Sequence, residues 1–177
     1  MSKYEEMWQA AITQQRNFHQ QRLRCSQHAV KLINGFQAYC GMPSHNVKLL
    51  RWTGDQTAPV PYEEADPGKT YTITGAMQFN EEDGYWHFGV HLDLTQMQWI
   101  TFGMAISDAD GKSLVKFSGA KPRQIDLNDH SQCNAFYESI VEFVKECYRD
   151  AKPGANRIGF ALGYQEEQKE EKVVDAA

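Results

Sequence analysis

The chain has 177 residues, 41% of them hydrophobic, and a formal net charge of -5. That length suits one domain, and a net charge that is not basic argues against the phosphate contacts that nucleic-acid binding requires. The sequence has no run of the ~20 apolar residues that a transmembrane helix needs, so a membrane protein is not expected either.

The first predicted element is a long helix. Ser2 and Glu5 form the S-x-x-E pattern of a capping box, and apolar residues follow at spacings of three and four. Those apolar residues are Tyr4, Met7, Trp8, Ala11, Ile12, Phe18, Leu23, Ala29, Val30 and Ile33. We expect the helix to end near Gly35 in a left-handed cap. A helix of ~30 residues with a polar middle reaches beyond one core, which predicts a homodimer through this N-terminal helix.

After the helix, residues 46–53 are predicted to form a strand. Residues 53–69 contain Pro59, Pro61 and Pro67 and show no periodicity, so they predict a loop. A loop of that length often acts as a lid or a rim of a site.

Strict alternation of apolar and polar residues then predicts four strands, at 70–80, 85–94, 98–107 and 112–118. Short turns rich in Gly and Asp join them, as in an antiparallel meander. Because a slip by one residue would exchange the faces, the apolar residues also predict a register. The predicted pairs are Phe79 with Trp86, Met77 with Phe88, Ile73 with Leu92, Val90 with Phe102, Phe88 with Met104, and Phe102 with Phe117.

The apolar face of this sheet needs a cover, and a second amphipathic helix follows. Asn128 or Asp129 is expected to cap it, and it runs to about Lys152. A last strand is predicted at 157–162. The sequence thus predicts one α+β domain over 1–163: a meander of about five to six strands, a long N-terminal helix and a C-terminal amphipathic helix packed on the sheet.

The segment that follows, residues 164–177, is an acidic tail that contains five acidic residues and two lysines. Its composition is typical of disorder. The four cysteines form no CxxC pair and no export signal is recognisable, so we expect a cytoplasmic protein with reduced thiols.

The other face of the predicted sheet is polar, with a row of small residues, Ala76, Gly89 and Gly103, across three strands. Residues that could bind a small organic ligand flank this row on the same face. They are Thr74, Tyr85, His87, His91, Asp93, Trp99 and Thr101. Glycine inside a strand often marks the close approach of another group. That group is either a ligand in a cavity or the backbone of a crossing helix, from this chain or from its partner; a solvated face is the third interpretation.

His91 and Asp93 are also candidate catalytic residues. At i and i+2 on one strand, the imidazole and the carboxylate point the same way, as a general base and the group that orients it. No spacing typical of a metal site and no cofactor motif occurs, so neither is expected. Three functions stay open: a binding protein for a small molecule, an enzyme with His91 as base, and a pure protein-interaction module.

Overall fold

The structure, a computed structural model, describes residues 1–51, 71–96, 98–118 and 120–150, and the backbone of 159–162. The predicted loop at 53–69 and the acidic tail at 164–177 lie outside these residues. The described part is an α+β fold in which long helices pack on a mainly antiparallel sheet, as the sequence predicts.

The described helices are α1 (Lys3–Cys40), α2 (Ile73–Ala76) and α3 (His130–Arg149). The capping box of α1 is confirmed: the Ser2 hydroxyl accepts from the Glu5 amide, and the Glu5 carboxylate accepts from the Ser2 amide at 2.6 Å. The Asp129 side chain caps α3, as predicted, by accepting from two amides of its first turn.

The predicted end of α1 at Gly35 is wrong. The helix continues to Cys40, and Gly41, with φ 61°, forms the left-handed cap. Gly35 serves helix packing instead, because a Cβ at this position would overlap the hydroxyl of Tyr137 on α3 and lie 2.9 Å from its Cζ. In a sequence, glycine can indicate either a helix cap or a close contact between helices, and the residue type alone does not distinguish them.

The described strands form one sheet in the order β1-β3-β4-β5-β6. They are β1 (Val47–Leu50), β2 (Gln78–Asn80), β3 (Tyr85–Asp93), β4 (Trp99–Ala109), β5 (Lys112–Phe117), β6 (Arg123–Ile125) and β7 (Gly159–Leu162). In two places, two strands pair with different parts of the same edge of one neighbouring strand. β1 and β2 both pair with β3 along one edge, and β7 runs parallel to β4 beside the part of β4 that β5 does not reach.

The prediction of one strand over 70–80 is wrong. Within that range only Gln78–Asn80 (β2) pairs with β3, which confirms Phe79 opposite Trp86. Residues 89–92 of β3 pair with β1 instead. The predicted pairs of Met77 with Phe88 and of Ile73 with Leu92 are therefore not formed. Ile73, Ala76 and Met77 are buried at i, i+3 and i+4, the spacing of a helix turn, and the alternation concealed it.

The register between β3 and β4 is confirmed, with Val90 opposite Phe102 and Phe88 opposite Met104. The pair of Phe102 with Phe117 is wrong by two residues, because Phe117 lies opposite Met104. A shift of two residues keeps every side chain on its predicted face. The Phe102 and Phe117 rings are still in contact, with centroids 6.3 Å apart.

Both long helices cover the apolar face. From α3, Phe136 packs against Phe117 with ring centroids 5.7 Å apart. From α1, Phe18 contacts Trp86 at 5.3 Å, and His28 hydrogen bonds to Ser113 at 2.7 Å. The side chains of α1 that are buried in this interface are Cys25, Ser26, Ala29, Leu32, Ile33 and Phe36. The interpretation in which the N-terminal helix of this chain crosses the polar face is thus wrong.

Candidate functional site

The polar face is the face of the sheet opposite α1 and α3. Its residues on the two long strands alternate with the core residues and are Tyr85, His87, Gly89, His91, Asp93, Trp99, Thr101, Gly103 and Ala105. Gly89 and Gly103 lie opposite each other at its centre, as predicted. The third member of the row is Leu50 of β1, and Ala76 lies on α2 instead.

One end of the polar face carries a hydrogen-bonded chain that we name the His91 cluster: Thr101, His91, Asp93, Lys48 and Trp99. The Thr101 Oγ1 lies 2.8 Å from His91 Nδ1, and Asp93 Oδ1 lies 3.0 Å from His91 Nε2. The other oxygen of Asp93 accepts from Lys48 Nζ at 2.6 Å. The Trp99 ring stacks on the imidazole with centroids 5.4 Å apart.

The charge on Asp93 decides where the protons lie in the His91 cluster. Burial alone would raise the pKa of Asp93, but the hydrogen bonds from Lys48 and His91 outweigh it and hold the pKa below 3.8. An ionised carboxylate only accepts hydrogen bonds, so His91 Nε2 carries a proton. In the neutral ring, Nδ1 then accepts from the Thr101 hydroxyl.

The other end of the polar face carries the His87 cluster, which consists of His87, Asp83, Lys116 and Tyr85. Asp83 Oδ2 lies 2.8 Å from His87 Nε2 and 2.8 Å from Lys116 Nζ. The ammonium of Lys116 also lies over the Tyr85 ring, 4.3 Å from its centroid. Each end of the face therefore holds a lysine, an aspartate, a histidine and an aromatic ring.

The pKa values of His87 and Asp83 are both lowered, but burial causes only the first of these shifts. Burial lowers the pKa of His87 below 6.5, although the charge of Asp83 acts against this. For Asp83, burial would raise the pKa, but hydrogen bonds from Lys116 and the Tyr85 amide lower it below 3.8. The favoured state of this cluster near neutral pH is a neutral imidazole beside an ionised carboxylate.

The inner residues of the His91 cluster are buried, and its outer residues, which form a rim, are partly exposed. His91 and Thr101 are 1% and 0% exposed, whereas the side chains of Asp93 and Lys48 are 34% and 28% exposed. The rim groups can therefore meet a molecule from solution, and the histidine behind them orients the carboxylate. This arrangement suits recognition of a ligand by its hydrogen bonds.

Six of the seven predicted ligand-binding residues lie on the polar face, and Thr74 does not. Thr74 belongs to α2, where its carbonyl accepts from Arg22 of α1 at 3.1 Å. Sequence reasoning missed Lys48, Lys116 and Asp83. Lys48 lies opposite His91 in β1, a position that the sequence interpretation had given to Thr74.

No protein-family model, curated protein or solved structure matches this chain. Among the residues that the structure describes, no three His, Cys, Asp or Glu side chains are grouped so that they could hold a metal ion. None of the described helices combines the length and the apolar character that crossing a bilayer requires.

Proposed function

We propose that this chain is a binding protein for a small organic ligand, which it holds on the polar face of the sheet. The observation that carries the proposal is the Gly89–Gly103 pair, which lies between the His91 and His87 clusters on the face opposite both long helices. The four cysteines are free thiols, which supports a cytoplasmic location.

The glycine pair supports close approach of a ligand. Glycine inside a strand costs stability, because it has no side chain to pack and loses more backbone entropy than other residues. A crossing helix is the usual structural reason for such a floor, but α1 and α3 both lie on the other face. Gly89 and Gly103 are both buried, so a ligand that approaches their backbone would be enclosed and not held on an open surface.

The rim groups indicate the chemistry of the ligand. Lys48 and Asp93 offer a cationic donor and an anionic acceptor 2.6 Å apart, and both are partly exposed. Trp99 adds a flat aromatic surface beside them. We therefore expect a ligand with donors and acceptors of its own and a planar part, bound at the His91 end.

The enzyme hypothesis has weaker support. Thr101, His91 and Asp93 do form a hydroxyl–imidazole–carboxylate chain. A general base, however, must present a nitrogen to the proton that it removes. Both nitrogens of His91 are hydrogen bonded within the chain and the residue is 1% exposed, which favours a positioning role for His91.

The proposal is tested by a thermal-shift screen against a metabolite library, because a ligand that binds the native state raises the melting temperature. Hits are then measured by calorimetry on Asp93→Asn. We expect affinity to fall at least roughly tenfold, which is the usual effect of removing one charged hydrogen-bonding group.

Asp83→Asn is the matched control, since it makes the same change in the equivalent cluster at the other end. It should leave the affinity of the same hit within about twofold, a difference well under 1 kcal/mol. Equal losses in the two variants would contradict binding at the His91 end. A hit whose NMR shift changes map to α1 and α3 would contradict the polar face as the site.

A further inference from the structure

Asp108 carries a carboxylate at the edge of the apolar core, on the face of the sheet that α1 covers. It follows buried Ile106 by two residues on β4, so both side chains point to that face. The Asp108 side chain is 10% exposed, and its Oδ2 accepts from Arg24 Nε of α1 at 2.7 Å. One oxygen of this nearly buried carboxylate therefore has a charged partner.

The second oxygen, Asp108 Oδ1, is buried and has no hydrogen-bond partner among the residues that the structure describes. The hydroxyl of Ser113, which lies opposite Asp108 in the sheet, is 2.7 Å from His28 Nδ1 and is engaged there instead. A buried acceptor without a donor costs free energy, because its hydration is lost and not replaced. Asp93 shows the complete arrangement, since its two oxygens bind a lysine and a histidine. Asp108 lacks the second donor.

Arg24 has donors left over. It binds Asp108 through Nε, and neither of its terminal nitrogens donates to another group within the described part of the chain. The Arg24 side chain is 51% exposed, so these nitrogens are accessible from solution. The two parallel N–H groups at the end of a guanidinium match both oxygens of a carboxylate. The Arg24–Asp108 pair thus offers an anion-binding edge beside an acceptor that lacks a donor.

Both residues of this pair line a groove between α1 and β4, which has a volume of about 620 Å³. Its other walls include the carboxamides of Gln14, Asn17 and Gln21 and the ring of Phe18. Carboxamides donate and accept hydrogen bonds without a charge of their own. The groove therefore suits a polar occupant whose charges are met by Arg24 and Asp108.

We propose that this groove binds a free α-amino acid with a polar side chain. Such a ligand carries an ammonium and a carboxylate on one carbon, with the nitrogen about 2.5 Å from the carboxyl carbon, and both groups are charged near neutral pH. Its carboxylate accepts from the terminal nitrogens of Arg24, and its ammonium donates to Asp108. The carboxamides of Gln14 and Gln21 bind its side chain. The site is separate from the polar face and does not depend on the ligand there.

The two charges of the pair favour a zwitterion over simpler ligands. An anion such as phosphate fits Arg24 but is repelled by Asp108, and a simple amine fits Asp108 but leaves the edge of Arg24 unused. The Asp108 carboxylate turns about χ2 to bring Oδ1 to the ammonium, a rotation for which aspartate has a broad, roughly two-fold profile. Because this carboxylate is nearly buried, its attraction to the ammonium is weakly screened by water.

Calorimetry with the polar standard amino acids, L-glutamine first, tests the site on the native protein. We expect saturable binding of L-glutamine. N-acetyl-L-glutamine lacks the ammonium and L-glutaminamide lacks the carboxylate, so each should bind at least roughly tenfold more weakly. Equal affinity for L-glutamine and either analogue overturns the recognition of a zwitterion. Absence of saturable binding by every polar standard amino acid overturns the site.

Two variants test the residues of the pair. Asp108→Asn puts a donor where the ammonium needs an acceptor, and Arg24→Gln removes the partner of the carboxylate. Each should weaken L-glutamine binding at least roughly tenfold while circular dichroism stays native. The matched controls Asp110→Asn and Arg16→Gln make the same changes at exposed positions outside the groove and should stay within about twofold. Native affinity in both Asp108→Asn and Arg24→Gln overturns the assignment.

Asp93→Asn separates this site from the polar face. L-glutamine should bind this variant with native affinity, because Asp93 belongs to the opposite face of the sheet. The amino acids are measured apart from the metabolite screen, so each site is tested on its own ligand. Loss of L-glutamine binding in Asp93→Asn with native affinity in Asp108→Asn would move the amino acid to the polar face and overturn the groove as its site.

Discussion

Gly35 lies inside a helix although glycine has a low helix propensity, because the packing of α1 on α3 leaves no room for a side chain there. It lies within α1, where alanine would favour the helix by about 1 kcal/mol. The ring of Tyr137, which is buried at the junction of the two long helices, occupies the space that a Cβ would need. The packing requirement therefore outweighs helix propensity at this position.

We predict that Gly35→Ala lowers the free energy of unfolding by about 1–3 kcal/mol, the usual cost of overpacking, despite the better helix propensity of alanine. Urea unfolding measures the change. Tyr137→Phe removes the hydroxyl that overlaps the new methyl group and should recover part of the loss. Gly75→Ala, whose Cβ would lie 3.4 Å from Thr72 Oγ1, is the control and should be close to neutral. A Gly35→Ala protein of native or higher stability would refute this account.

At the scale of elements, α1 and α3 begin with the same kind of cap but in different surroundings. The caps are Ser2 and Asp129. The first turns of α3 include buried Cys133 and Phe136, whereas the residues of the first turns of α1 are exposed. Loss of the cap should therefore have different consequences in the two helices.

We predict that Asp129→Ala lowers the melting temperature by a few degrees, because amides of a helix packed on the sheet lose their acceptor. Ser2→Ala should leave the main transition unchanged, because the first turns of α1 are exposed. It should only fray the first turn, seen as faster amide exchange there. Similar shifts of the melting temperature in both variants would show that the first turns of α1 contribute to the core.

The elements that the sequence predicts best are those whose signal is local. Capping residues set the starts of α1 and α3, and the alternation in two long strands sets the pairing of β3 with β4. That pairing alone assembles His91, Asp93, Thr101 and Trp99, so most of the candidate site follows from the sequence.

The rest depended on contacts between distant segments. Residues 47–50 pair with residues 89–92 across about 40 residues of chain, and no local pattern marks that choice. Because β1 occupies this edge of β3, residues 73–76 fold as a helix and Lys48 joins the His91 cluster in place of Thr74. The alternation at 71–79 fits both structures, and only the competition for the edge decides between them.

At the scale of the whole molecule, titratable groups with shifted pKa values link stability to pH. Burial lowers the pKa of His28 and His87 below 6.5 in the folded state. The unfolded chain therefore takes up protons at a higher pH than the folded one, and stability falls as the pH drops below 6.5. The lowered pKa values of Asp83 and Asp93 act in the same direction, but only below 3.8.

We predict a urea midpoint that decreases between pH 7.5 and pH 5, and decreases again between pH 4 and pH 3. His28→Gln should reduce the first decrease and leave the second, because His28 does not contribute in the acidic range. Measurements at one protein concentration keep any assembly constant. A midpoint that is the same at pH 7.5 and pH 5 would contradict the role assigned to His28 and His87.

The position of α1 in the chain also affects how the protein is made. Its buried stripe packs on strands that end at Phe117, roughly 80 residues after Phe36, so at about 5–20 residues per second the ribosome delivers them several seconds later. During that interval the whole apolar stripe of α1 is exposed to water. Until the sheet forms, nothing that α1 packs against in the folded protein is present to cover that stripe.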